Sequence, residues 1–292
     1  MTEGFGVAIA IVSSSLGGSA AAVTRYLVGA ADPITLAILR WVIGFAIVLP
    51  VALRLNVRWP QGWDRLAVAG VCFFGLFFIL YNIALGYTTA ARASLALSTL
   101  PLQTMLAGAL LRLETLTFRK SLGVAIAMIG VFAALASGLS SAPQGAWRGE
   151  LIMVGAVLCM AVYNVLSRPF IQRSSALGFL AVGMGAGALA LLIVGGFTGS
   201  IGVVRAFNSH EWIAGLYLGA SGGALAFVLW VVALQHASPT RVANTMTVNP
   251  IAAATLAAVL VGEPITLNLV VGLLAVFSGI WISTTEAKPA SP

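Results

Sequence analysis

Charge is what this chain lacks most. Of 292 residues only 8% are charged, 60% are hydrophobic, and mean hydropathy is +1.04. Soluble proteins carry about 25% charged residues. A soluble domain of this size has no means of covering its surface with so few, so the chain reads as a multi-pass cell-membrane protein. Histidine is nearly absent (His210 and His236), and the two cysteines, Cys72 and Cys159, lie inside apolar runs. Buried free cysteines are mostly small hydrophobes. The acidic residues Glu3, Asp32, Asp64, Glu114, Glu150, Glu211, Glu263 and Glu286 all fall at the ends of apolar runs or between them. These scarcities leave little from which to build a nucleophile with its base, or a metal cluster. An intramembrane enzyme is therefore disfavoured, no cofactor or metal is called for, and no embedded carboxylate relay for protons is expected. The net charge of +7 is no nucleic-acid footprint, because the basic residues punctuate apolar runs as membrane topology requires.

What is present is a succession of apolar segments of about 20 residues, the length a membrane helix needs. Ten are predicted, at 5–28, 34–55, 64–86, 91–112, 118–138, 148–171, 176–199, 212–235, 240–261 and 267–285. The runs are continuous and twice the ~10 residues of a barrel strand, so helices are expected rather than a β-barrel. Phe5–Thr24 lacks the basic start of a cleavable signal peptide and has the length of a first span. The residues after Glu286 read as a short disordered polar tail. Ten Lys and Arg lie on the N-terminal side and four on the other, with Arg40 inside a segment. By the positive-inside rule both termini are expected in the cytoplasm.

The chain also repeats itself. Residues 80–132 align without a gap on 229–281, an offset of 149 (229 − 80), with eleven of 53 pairs identical. Scarce residues recur: Arg92/Arg241, Pro101/Pro250, Glu114/Glu263, Thr117/Thr266, Gly123/Gly272 and Gly130/Gly279. Gly6–Arg25 matches Gly149–Arg168 at offset 143. Two units are expected, 1–140 and 141–292, each of five helices. Five is odd, so the second unit must enter the membrane from the opposite face. The fold class expected is all-α, ten transmembrane helices in two inverted five-helix repeats, an architecture whose sites lie near the midplane between the repeats.

The stretches STLPLQTMLAGALLRLETLTFRKSLGVAIAMIG and TVNPIAAATLAAVLVGEPITLNLVVGLLAVFSG, with Leu39-Arg40-Trp41 opening the second segment, resemble the EamA-type members of the drug/metabolite transporter superfamily. That resemblance covers nearly the whole chain. It implies an exporter of amino acids, aromatic ones among them, or of related metabolites. It also implies that helices three, four, eight and nine line a central path, with five and ten at the periphery. The first copy carries Arg112 and Arg119-Lys120 where the second has Val261 and Asn268-Leu269, which fits a cytoplasmic and an external loop.

Candidate site residues follow from cost. Pro101 and Pro250 sit inside the fourth and ninth segments, where each removes a donor to the carbonyl four residues back, Leu97 or Met246. They are candidate hinges or gates, or else simple kinks. Ser98, Thr99, Thr247 and Asn249 stand beside them and could face the substrate or bond their own helix. Arg40 could hold a substrate carboxylate, snorkel to the interface, or bond a neighbouring helix. Tyr81, Asn82, Tyr163, Asn164, Trp230 and Asn244 are polar-aromatic candidates for an amphipathic solute, against an aromatic belt or inter-helix bonds. His236 is read as interfacial. Glu114 and Glu263 are gate-closing ion partners or caps of the next helix. The partners expected are a small-molecule substrate and the lipid bilayer, with no nucleic acid; the oligomeric state is open, a monomer included. A carrier working by alternating access, by uniport or exchange, is the leading reading; a passive channel or membrane scaffold is the alternative.

Overall fold

In the computed structural model the described residues are 3–111, 118–137, 142–237, 242 and 245–284. They contain helices and no strand. The helices are α1 (Glu3–Leu27), α2 (Pro33–Arg54), α3 (Trp63–Tyr87), α4 (Ala90–Leu110), α5 (Phe118–Ser137), α6 (Ala146–Arg173), α7 (Ala176–Thr198), α8 (Ser209–His236), α9 (Thr245–Leu260) and α10 (Leu267–Thr284). Among the described residues seven helices, α1 to α4 and α6 to α8, are long and apolar enough to cross a membrane. The predicted boundaries lie close to those found: 34–55 against Pro33–Arg54, and 176–199 against Ala176–Thr198. Glu114 and the tail after Glu286 lie outside the described residues.

Local chemistry sets the ends. Asp32 caps α2, its Oδ1 accepting from Ile34 N (2.9 Å) and Thr35 N (3.1 Å), and Pro33 opens the helix where a missing N–H costs nothing. Ser200 Oγ donates to the same carboxylate at 3.0 Å, joining the 3-10 turn Ser200–Ala206 to the start of α2. Burial raises the Asp32 carboxyl, but hydrogen bonds from Thr35, Ser200 and Ile34 outweigh it and leave its pKa below the usual carboxylate value.

Two features had no signal in the composition. Within α3, Val71–Phe77 is π-helical, and within α8, Leu218–Leu225 is too. The two segments overlap under the offset of 149 that aligns the sequence repeat. π-Helical turns are rare, widen the helix, and gather at functional sites. Both proline segments depart from regular α-helix just before the proline: α4 pauses at Ser98–Thr99, and Thr245–Thr247 of α9 is a 3-10 turn ahead of Pro250.

Small residues bring the helices together, as packing in lipid demands. A Cβ added at Gly6 would stand 2.9 Å from Ala237 Cβ and 3.0 Å from His236 Cβ. One added at Gly149 would stand 3.0 Å from Tyr87 Cβ and 3.2 Å from Thr88 Cγ2. Gly6 aligns with Gly149, Tyr87 with His236 and Thr88 with Ala237, so α1 meets the end of α8 as α6 meets the end of α3. An aromatic block (Trp41, Phe73, Phe74, Phe77, Phe78) fills the interior between α2 and α3, with edge-on rings such as Trp41 and Phe78 at 4.5 Å. Each such pair adds about 0.5–1.5 kcal/mol beyond its buried area.

Candidate functional site

Beside this block lies a cavity of about 50 Å³. That volume holds a few waters at ~10–15 Å³ each. Ser13, Ser14 and Gly17 of α1, Arg40 of α2, Phe77, Phe78 and Tyr81 of α3, and Leu97 of α4 line one part. Met160 of α6, Ala226, Phe227 and Trp230 of α8, and Met246 and Asn249 of α9 line the rest. Leu97 and Met246, the residues whose carbonyls the two prolines deprive of a donor, both reach it. No described residue of α5 or α10 does.

Arg40 is 4% exposed. It does not snorkel: Nη2 donates to Gly222 O at 2.8 Å across to the π-helical segment of α8. The cation lies among rings, its Cζ 4.7 Å from the Phe78 centroid, 5.5 Å from Trp41 and 5.9 Å from Tyr81. Glycine makes this possible, because a Cβ at Gly223 would come within 2.6 Å of Arg40 O. Nε and Nη1 are buried and make no hydrogen bond of ordinary geometry among the described residues, although the Tyr81 side chain interacts with the guanidinium. No carboxylate among them lies within ion-pair distance of Arg40. An unpaired buried cation is costly, which gives it a stake in any anion that enters.

Asn249 is also 4% exposed, and its Oδ1 makes no hydrogen bond among the described residues. The helix that carries it approaches α1 closely; a Cβ at Gly17 would stand 2.9 Å from Asn249 Nδ2. The two copies differ at these places. Arg40 and its neighbours Gly222-Gly223 correspond to Gly183 and Phe73-Phe74, and a Cβ at Gly183 would meet the Phe74 ring at 3.1 Å. Asn249 corresponds to Leu100, which is fully buried. Where one copy has charge and space, the other has space filled by phenylalanine.

Of the predicted residues, Arg40, Tyr81, Trp230 and Asn249 meet at the cavity. Asn82 instead donates through Nδ2 to Pro33 O at 2.8 Å, tying α3 to the start of α2. Ser98 Oγ and Thr99 Oγ1 donate to Ser94 O and Ala96 O of their own helix. Tyr163 stacks on Phe73 (4.4 Å, 18°), Thr247 is buried beside the α9 break, and Asn164 is half-buried on α6; none of the three lines the cavity. Asn244 lies outside the described residues. Pro101 and Pro250 flank the cavity through Leu97 and Asn249. Not anticipated were the apolar lining residues Phe77, Phe78, Met160 and Phe227 and the polar residues of α1: Ser13 donates to Ala226 O at 2.7 Å, and Ser14 shares a 2.9 Å bond with Thr245. The small, polar run from Ser13 to Ser19 was the signal for the serines.

At the end of the bundle away from the N-terminus, two ion pairs join the early helices to the late ones. Arg25 Nε meets Glu263 Oε1 at 3.0 Å while Arg25 Nη1 donates to Leu85 O at 2.9 Å. Glu263 Oε2 accepts from Ala90 N at 2.9 Å, so it caps α4 and not the helix that follows it. Arg92 Nε meets Glu150 Oε1 at 2.6 Å, and Arg92 Nη2 donates to Leu135 O.

A family model described as the EamA-like transporter family matches residues 4–136 and again 147–285. Relatives include the uncharacterized protein PA1977 of Pseudomonas aeruginosa, 30% identical over 86% of this chain and 84% of that protein. A "probable terminal-alkyne amino-acid exporter" of Streptantibioticus cattleyicolor is 28% identical over 76% and 74%. A solved crystal structure superposes with a TM-score of 0.71 at 20% identity, covering 97% of this chain and 98% of its own. At that identity it speaks for the fold alone.

Proposed function

This chain belongs to the EamA-like transporter family, and we propose that it exports small carboxylate-bearing solutes, amino acids foremost, by alternating access. One observation carries the reading: a buried guanidinium, Arg40, lines the cavity with Nε and Nη1 unspent. A carboxylate entering there gains a charge-assisted, bidentate contact. The aromatic walls of Phe77, Tyr81, Phe227 and Trp230 suit an apolar side chain. The exporter named among its relatives acts on an amino acid, which agrees.

The carrier is built as ten membrane helices in two inverted five-helix units, 1–140 and 141–292, with both termini cytoplasmic. The glycine contacts of α1 with α8 and of α6 with α3, and the paired π-helical segments, support that symmetry. Inverted units can form equivalent gates at either end of one cavity. The Arg25–Glu263 pair closes the far end in the state described. The breaks at Pro101 and Pro250 are the hinges. Movement by uniport or exchange is the simplest coupling, because no Asp or Glu among the described residues lines the cavity. Proteoliposomes loaded with single amino acids test this: saturable efflux accelerated by substrate on the opposite side supports a carrier. Flux that rises linearly without saturating would sink it.

A further inference from the structure

We infer that Asn249 reads the ammonium group of the substrate, so that the solute held against Arg40 is a zwitterionic α-amino acid and not a plain carboxylate. The inference rests on the reading of Arg40 given above and adds a second pole to it. A zwitterion needs a donor for its carboxylate and an acceptor for its ammonium. No Asp or Glu among the described residues lines the cavity to supply the acceptor. Asn249 Oδ1 is a buried acceptor without a hydrogen-bond partner among the described residues, on a side chain that lines the same cavity as Arg40. A buried, unsatisfied amide oxygen has a desolvation cost that an ammonium relieves.

Both side chains are held against one stretch of α1. Gly17 packs against Asn249 Nδ2, and Ala20 packs against Gly222, whose carbonyl holds Arg40 Nη2. The walls between are Trp230 and Phe227, whose faces favour a cation, and Met160 and Met246, whose unbranched side chains re-pack as the cavity enlarges. A neutral acceptor also explains exclusion. With Arg40 fixed in the wall, a solute bearing net positive charge is repelled, whereas a zwitterion brings none. Asn249 is placed for this in one copy only, since its counterpart is Leu100.

The test uses purified full-length protein and two matched pairs of probes, L-leucine with 4-methylpentanoate and L-phenylalanine with 3-phenylpropanoate. Affinity is read by thermal shift and by competition for counterflow in liposomes. Wild type should bind at least one amino acid at least about tenfold more tightly than its deaminated partner, the loss expected when a polar partner is left unpaired. Asn249→Leu should bring that ratio to within about twofold while the deaminated acid binds as before. Asn249→Asp, a milder change, should keep or raise the preference. A wild type without preference, or an Asn249→Leu variant that weakens both probes equally or neither, overturns the inference. Should Asn249→Leu fail to fold, Asn249→Val, which also lacks an acceptor, stands in for it with the same expected loss of preference. Arg40→Gln separates the two readings: undiminished binding of both acids overturns the carboxylate reading itself, whatever Asn249 does.

Discussion

Neutralising Glu263 removes one of the two ion pairs at the far end of the bundle while keeping the side chain's shape. In Glu263→Gln one amide replaces a carboxylate that serves two helices, through Arg25 Nε at 3.0 Å and Ala90 N at 2.9 Å. Breaking a fully buried pair costs about 3–5 kcal/mol. Here the side chains retain 22% and 10% exposure, so water partly compensates. A charge-assisted bond contributes about 1.5–3 kcal/mol, the glutamine still accepts from Ala90 N, and a lost anion at a helix N-terminus costs a further 0.3–1 kcal/mol or so. We expect about 2 kcal/mol, which makes local opening of this end about 25-fold more frequent at 1.4 kcal/mol per tenfold. Hydrogen exchange of the amides at 90–93 in lipid nanodiscs reads that directly. The exchange should accelerate by one to two orders of magnitude, and the double variant Arg25→Gln/Glu263→Gln should add little more. Exchange within twofold of wild type in a folded Glu263→Gln protein would show that Glu263 does not hold this end together, as would strictly additive effects in the double variant.

Other expectations follow from particular contacts. Gly223→Val places a side chain against Arg40 O, where even a Cβ comes within 2.6 Å; overpacking should cost about 1–3 kcal/mol, seen as a lowered melting temperature with transport lost. Glu150→Gln strands Arg92, which is 9% exposed, and should destabilise strongly, whereas Arg92→Met with Glu150→Leu should lie near wild type in the same melt. Asp32 has a folded pKa below its usual 3.8. Its contribution is therefore complete above about pH 4 and is lost as pH falls through the folded pKa. Asp32→Asn should flatten that acid limb of a stability profile while leaving the neutral region with only the cap's loss.

The membrane spans were legible because charge is expensive in lipid, so Lys, Arg, Asp and Glu mark the ends of nearly every helix. The breaks at Ser98–Thr99 and before Pro250 were legible because proline has no N–H. The site was legible only in part. Arg40 and Asn249 announced themselves as polar groups in apolar runs, but so did Asn82, Ser98 and Thr99, whose hydrogen bonds go to helix carbonyls. Spacing alone does not tell which face of a continuous apolar helix looks inward. The π-helical turns of α3 and α8 were hidden for a related reason. VCFFGLF and LGASGGAL share little beyond a glycine and a leucine, and different groups pack across them, Gly183 on one side and Arg40 on the other. The serines of α1 pass for ordinary small residues until α8 and α9 are placed against them.

The central claim is that Arg40 holds a carboxylate. Counterflow in proteoliposomes, with a transported amino acid inside and competitors outside, tests it most directly when each competitor is offered both as the free acid and as its amide. The free acid should compete and the amide should not, and Arg40→Gln should abolish the difference. An amide that competes as well as its acid in the wild-type protein would contradict the claim.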